Sequence, residues 1–231
     1  MSGFVLVHGA FRGGWAWDRV AQRLRDDGHI VATPDVVAAD AVAARSALTL
    51  DDLIGAIAAA VERVSAESGE PVTLAGHSLG GFLARVAAEV CADRLAELVY
   101  VDAPVPEDGD RAYGFPGRDP EPPVVPADAW ADPPPVVEGE HLSDENAAWI
   151  NDRLRPEPIA PSAERVRLAS GAAAALPARY LFFTATPAFL PCTVTRTRLD
   201  TEGVPYDRFD AGHDGIVTAP DAVAAWLTRT A

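Results

Sequence analysis

Gly76-His77-Ser78-Leu79-Gly80-Gly81 sets a serine between glycines two positions away on either side. The apolar run Val72–Ala75 precedes it, and a helical pattern from Leu79 to Val90 follows. This G-x-S-x-G spacing has a mechanical reason. A serine held on a sharp, strained strand-to-helix turn needs small neighbours to avoid clashes, and its hydroxyl is then exposed beside the positive end of the helix dipole. Such a hydroxyl is a weak nucleophile until a base takes its proton. Of the five histidines, His8 and His77 sit inside glycine motifs, and His29 and His141 in polar turn or insert sequence. His213, in Asp210-Ala211-Gly212-His213-Asp214, lies between the last strand pattern and the last helix pattern and is the candidate base. Acyl chemistry also needs two backbone donors for the oxyanion. The N–H of Leu79 is one. The glycine-rich turn His8-Gly9-Ala10-Phe11 supplies the other, with Ala10 as first choice and Phe11 as fallback. Phe11, Trp15, Trp17, Trp130 and Trp149 are candidate walls of an apolar pocket.

These residues must be held by a sheet. Phe4–Val7, Ile30–Thr33, Val72–Ala75, Leu98–Val101, Tyr180–Thr184 and Tyr206–Phe209 read as strands. Helical patterns run over Trp17–Arg25, from Thr49 to about Ser68, and over Leu79–Val90, Ser143–Leu154, Ser162–Ala174 and Asp221–Leu227. Strands alternating with helices predict an α/β fold, a mostly parallel six-stranded sheet with helices on both faces. From Pro104 to Pro161 the chain becomes crowded with proline and acidic residues, including Pro133-Pro134-Pro135. That stretch is too long for a connection. Residues 105–175 are therefore expected to form a partly helical, Pro-rich cap over the sheet's carboxyl edge, with 1–104 and 176–231 as the core.

Composition removes whole classes of function. The 231 residues carry 34 acidic and 19 basic side chains, a formal charge of −15, which opposes binding to nucleic acid or anionic lipid. Every basic residue is Arg; without Lys there is no Schiff-base, P-loop or Ser-Lys chemistry. Cys91 and Cys192 have no metal-ligand spacing and read as small buried hydrophobes. No apolar stretch reaches membrane-spanning length, and no basic stretch precedes the first strand, so the expectation is a soluble cytoplasmic protein. The chemistry needs only side chains and backbone, so no metal or organic cofactor is implied. The sequence does not reveal oligomeric state, and a homodimer is compatible with it.

The chain resembles the esterase, hydroxynitrile lyase and salicylate methylesterase family of the α/β-hydrolase fold, in the manner of its small bacterial members. The likeness lies in Phe4–Ala10 with Gly14-Trp15 and Trp17, in the serine elbow, and in Leu98–Ala103. It continues in Trp149-Ile150, Arg153-Leu154, Pro156-Glu157-Pro158 and Ala211–Asp214. The resemblance implies a Ser…acid…His order along the chain. Its usual acid follows the strand before that of His213, where Thr186 stands here, and no Asp or Glu occurs between Arg179 and Leu199. Two alternatives follow. Asp102, at the carboxyl end of the strand after the serine's helix, reaches His213 instead, or the site lacks an acid. The lyase branch places a lysine directly after the histidine. That position is Asp214 here, which argues against cyanohydrin cleavage.

The resulting expectation is a serine hydrolase that cleaves a small ester or lactone through an acyl-enzyme. The alternatives are a tailoring enzyme (cyclase, C–C lyase or eliminase) on a carbonyl-rich metabolite, and a non-catalytic ligand-binding protein.

Overall fold

The structure is a computed structural model that describes residues 1–118 and 124–229. Its elements in chain order are β1 (Gly3–Val7), α1 (Asp18–Asp26), β2 (Ile30–Ala32), α2 (Ala39–Ala44), α3 (Leu50–Ser68), β3 (Val72–His77), α4 (Leu79–Cys91) and β4 (Leu95–Val101). There follow β5 (Trp130–Ala131), α5 (Asp144–Asn151), β6 (Glu157–Pro158), α6 (Ala160–Ala163), β7 (Ala178–Phe183), α7 (Cys192–Glu202), β8 (Asp207–Phe209), α8 (Gly215–Thr218) and α9 (Pro220–Leu227).

The six expected strands form one parallel sheet in the order β2-β1-β3-β4-β7-β8. Side chains alternate across it with period two. Val5, Val7, Leu74, Leu98 and Tyr100 face the layer of α3 and α4, whereas Phe4, Leu6, Ala75, Val99 and Val101 face that of α1 and α9. Burial on both faces explains why the central strands β1, β3 and β4 read as continuous apolar runs. The chain turns to opposite sides of β1 to make β2 and β3, so a crevice opens where β1 and β3 end side by side. The glycine-rich turn leaves β1 there, and the serine elbow leaves β3. Thr49 starts α3 with a reciprocal capping box to Asp52, and Gly69 closes it at a φ of +71°.

Two parts depart from the sequence reading. The helix expected over Ser162–Ala174 shrinks to α6 and a short 3₁₀ turn at Ala173–Ala175. Its backbone bonds elsewhere: Val166 N–H donates to the Asp110 carbonyl at 2.8 Å and Leu168 N–H to Asp108 Oδ1 at 2.8 Å. Conversely, α7 has no counterpart in the sequence reading, because its Thr- and Arg-rich sequence has a thin buried face, Cys192, Thr195 and Leu199. The segment between β4 and β7 also contains a small antiparallel pair, β5 with β6, that periodicity over two residues could not announce. Among the described residues no helix is long and apolar enough to cross a membrane.

Candidate active site

Ser78 stands between β3 and α4 with φ +52° and ψ −129°, a strained conformation for a residue with a Cβ. The strain is held by packing. A Cβ at Gly76 would lie 2.3 Å from the Gly80 carbonyl oxygen, and one at Gly80 would lie 2.3 Å from that of Val7. At Gly81 it would meet Ala103 Cβ at the same distance, so none of the three glycines accepts a side chain. Ser78 N–H donates to the Val101 carbonyl at 3.2 Å, which ties the elbow to β4.

His213 Nε2 lies 3.0 Å from Ser78 Oγ, and its Nδ1 lies 2.6 Å from Asp102 Oδ2. A carboxylate only accepts, so Nδ1 carries the proton and Nε2 is left to accept from the serine hydroxyl. Asp102 follows β4 directly, at a φ of +46°, with its side chain fully buried. Its Oδ2 also accepts from Thr186 Oγ1 at 2.5 Å, and its Oδ1 from Phe183 N–H at 3.3 Å. Burial opposes its charge, but the hydrogen bond and charge of His213 and the Thr186 hydroxyl outweigh this and hold the carboxyl below its usual range. Of the two alternatives for the acid, the geometry therefore brings Asp102 to His213, with Thr186 hydrogen-bonded to it. Asp210 and Asp207 point elsewhere, accepting from Thr184 Oγ1 and Trp226 Nε1.

The other buried histidines are structural. His77 Nε2–H donates to the His213 carbonyl at 2.8 Å, and burial above all pushes its pKa down to about 3. His8 donates through Nδ1 to the Gly9 carbonyl and accepts from Val36 N–H through Nε2, an arrangement only the neutral ring can make. Burial lowers its pKa to about 4. Asp214 pairs with Arg12 at 2.5 Å, both nearly buried, and the same guanidinium donates to the Ala10 carbonyl at 3.1 Å. Arg12 thereby joins the turn after β1 to the histidine loop. Burial works against the Asp214 charge, and Arg12 overcomes it and lowers the pKa.

Above Ser78 opens a cavity of about 370 Å³. Ala10, Phe11, Ser78 and Leu79 border it on the core side, and Ala112, Tyr113, Ala131 and Glu157–Ile159 enclose it from the segment between β4 and β7. Pro104, Ser162, Leu190 and Pro191 complete the wall. The N–H groups of Ala10 and Leu79 have no hydrogen-bond partner among the described residues. Phe11 N–H, the fallback donor, is committed to Glu157 Oε2 at 2.5 Å and is not free for a ligand. Among the expected wall residues only Phe11 lines the cavity. Trp15 and Trp149 pack edge-to-face against each other, with Arg19 and Arg153 over the Trp149 ring. Trp17 is core and donates to the Val7 carbonyl, and Trp130 donates to the Ser46 carbonyl from β5 while its neighbour Ala131 faces the cavity. Aromatic type signals large buried area but not which side of a layer the ring takes. Tyr113, Glu157, Leu190 and Pro191 went unassigned as wall residues because they lie on turns and short elements without periodicity.

Cys91 and Cys192 are buried and unbridged. Burial raises the Cys192 thiol, as does the adjoining Asp102 carboxylate. Asp102, Cys192 and His213 bring three possible metal donors within 4.8 Å of one another, but the Nδ1–Oδ2 pair is already spent on its own hydrogen bond.

Comparison with known proteins agrees with this architecture. A carbendazim hydrolyzing esterase of Nocardioides sp. (strain SG-4G) is 41% identical over 112 residues, 48% of this chain and 45% of that protein. Methyl jasmonate esterase 1 of Vitis vinifera is 40% identical over 45% of this chain and 40% of its own. The match to these curated relatives thus spans less than half of their length. Among solved structures, an extracellular alpha/beta-hydrolase from a Paenibacillus species, described as homologous to tobacco salicylic acid binding protein 2, superposes with a TM-score of 0.78. That likeness covers 98% of both chains at 23% identity and speaks to the fold. The family model for the alpha/beta hydrolase family matches residues 4–226, and this chain belongs to that family.

Proposed function

We propose that the protein is a carboxylic ester hydrolase that cleaves small esters or lactones through an acyl-enzyme on Ser78. The observation that carries this reading is the continuous hydrogen-bonded chain from Ser78 Oγ through His213 to Asp102, set at the edge of a largely apolar cavity. Ser78 Oγ attacks the ester carbonyl carbon as His213 Nε2 takes its proton. Asp102 keeps the imidazole in the reactive tautomer and balances its positive charge. The amides of Ala10 and Leu79 receive the oxyanion, each worth on the order of 10²–10³ in rate. The imidazolium then protonates the departing alkoxide, and a water activated by the same nitrogen releases the acid and restores the serine.

The esterase names of the relatives support this reaction class, and the apolar cavity supports a neutral, small substrate. Residues 105–175 act in this scheme as a cap whose short elements close the substrate space over the core. The tailoring-enzyme alternative draws on a missing acid and an altered cap, and the binding-only alternative on a missing acid; the contact of His213 Nδ1 with Asp102 favours the hydrolase over both on the first ground. The test is p-nitrophenyl acetate hydrolysis by the wild type and Ser78→Ala proteins. Loss of activity by orders of magnitude in the variant supports the reading, and equal rates refute it.

A further inference from the structure

The cavity over Ser78 contains a single carboxylate among its described lining residues, that of Glu157. Its position is fixed by the β5–β6 pair, in which Glu157 lies opposite Ala131 and Pro158 opposite Trp130, and by Ile159 N–H donating to the Ala129 carbonyl at 2.9 Å. Oε2 accepts from Phe11 N–H. Oε1 takes no hydrogen bond from the described residues, and Glu157 is one of the residues that line the cavity. An acceptor facing apolar walls gains most from a ligand that brings a donor, because the alternative is a poorly solvated polar atom.

Charge narrows the ligand. Arg12 and Arg155 act on Glu157 electrostatically, but their hydrogen bonds go elsewhere, Arg12 to Asp214 and the Ala10 carbonyl, Arg155 to Asp35 and the Arg12 carbonyl. They offset its charge without filling its acceptor, which suits a neutral donor better than a further cation. Reach narrows it again. The carboxylate is hydrogen-bonded to the amide next to that of Ala10, one peptide unit of about 3.8 Å away. A carbonyl oxygen on Ala10 N–H therefore leaves Glu157 within range of a substituent on the β carbon.

We infer that Glu157 is a specificity-determining residue that selects esters or lactones carrying a hydroxyl on the carbon β to the scissile carbonyl. This rests on the reading that the carbonyl docks at Ser78 and Ala10.

Binding to the Ser78→Ala protein tests it without turnover. Isothermal titration at pH 7.5, where most of the Glu157 carboxyl is ionised, with methyl β-hydroxy-β-phenylpropanoate and with methyl β-phenylpropanoate should show the hydroxy ester binding about tenfold more tightly, as expected of a hydrogen bond to a charged acceptor. Adding Glu157→Gln keeps an oxygen for Phe11 N–H and turns an NH₂ group to the cavity, and the ratio should fall to about one. Equal affinities in the protein that retains Glu157 overturn the inference, as does a preference that survives Glu157→Gln. Tighter binding of methyl β-amino-β-phenylpropanoate as its ammonium form overturns the choice of a neutral donor, and absence of binding by both esters overturns the inference outright. A wild type that binds the hydroxy ester selectively but never hydrolyses any ester sinks the hydrolase reading alone.

Discussion

Replacing Asp102 by Asn alters one group at the most constrained point of the site. Asp102 Oδ2 accepts from both His213 Nδ1–H and Thr186 Oγ1, and Oδ1 faces Phe183 N–H. Asn has one acceptor oxygen for these two sides. With the oxygen toward His213, its NH₂ meets the N–H of Phe183, donor against donor. With the amide turned, NH₂ meets Nδ1, and the imidazole must shift its proton to Nε2, which can no longer accept from Ser78. Either way the charge that balances the imidazolium is gone. A unit charge pair about 4 Å apart at an effective dielectric of about 20 is worth about 4 kcal/mol, or about 10³ in kcat. Tautomer inversion brings the loss towards the ~10⁴ typical of a serine triad. Steady-state kcat for p-nitrophenyl acetate, with Ser78→Ala as background, measures it. A fall of less than about tenfold would refute the assignment of Asp102 as the partner of His213.

Arg12→Ala leaves Asp214 buried without its partner and should cost about 3–5 kcal/mol in urea denaturation. The Arg12→Ala/Asp214→Ala double variant should lose less than the sum of the two single changes, and strict additivity would count against the pair. Glu157, largely by burial, has its pKa raised from 4.5 to about 7, so the folded state keeps a proton that the unfolded chain has released. Wild-type stability should therefore decline as pH rises from 4.5 to about 7, and denaturation of Glu157→Gln should lack that slope. Gly80→Ala drives a Cβ against the carbonyl oxygens of Val7 and His8 and should destabilise by about 2–4 kcal/mol, read as a lower denaturation midpoint at unchanged m-value. Thr186→Val removes a donor from the Asp102 carboxylate and should lower kcat about tenfold, and an unchanged kcat would make that hydrogen bond irrelevant to turnover.

The centre of the sheet was legible because β1, β3 and most of β4 are buried on both faces and written as apolar runs. The elbow was legible because its glycines answer a local steric demand, visible in the contacts that a Cβ at Gly76, Gly80 or Gly81 would make. Ser78 and His213 could be paired from their places after strands. Asp102 could only be offered as one alternative, because its role depends on how far β4 and the histidine loop stand apart, which no spacing encodes. The cavity wall was the least legible part. Trp15, Trp130 and Trp149 were reasonable by type and lie elsewhere. Glu157 reaches the cavity only because a two-residue strand pair, far from β1 in sequence, carries it to Phe11 N–H.

The central claim is that Ser78 carries the acyl group. The direct measurement is rapid mixing with p-nitrophenyl acetate, acid quench, and intact-mass and peptide-level mass spectrometry of the protein. The account predicts a burst of nitrophenolate matched by one acetyl group on the peptide containing Ser78, absent from Ser78→Ala and persistent in a variant at His213 only at a strongly reduced rate. Turnover by Ser78→Ala at the wild-type rate, or acetyl found only on other residues, would contradict it.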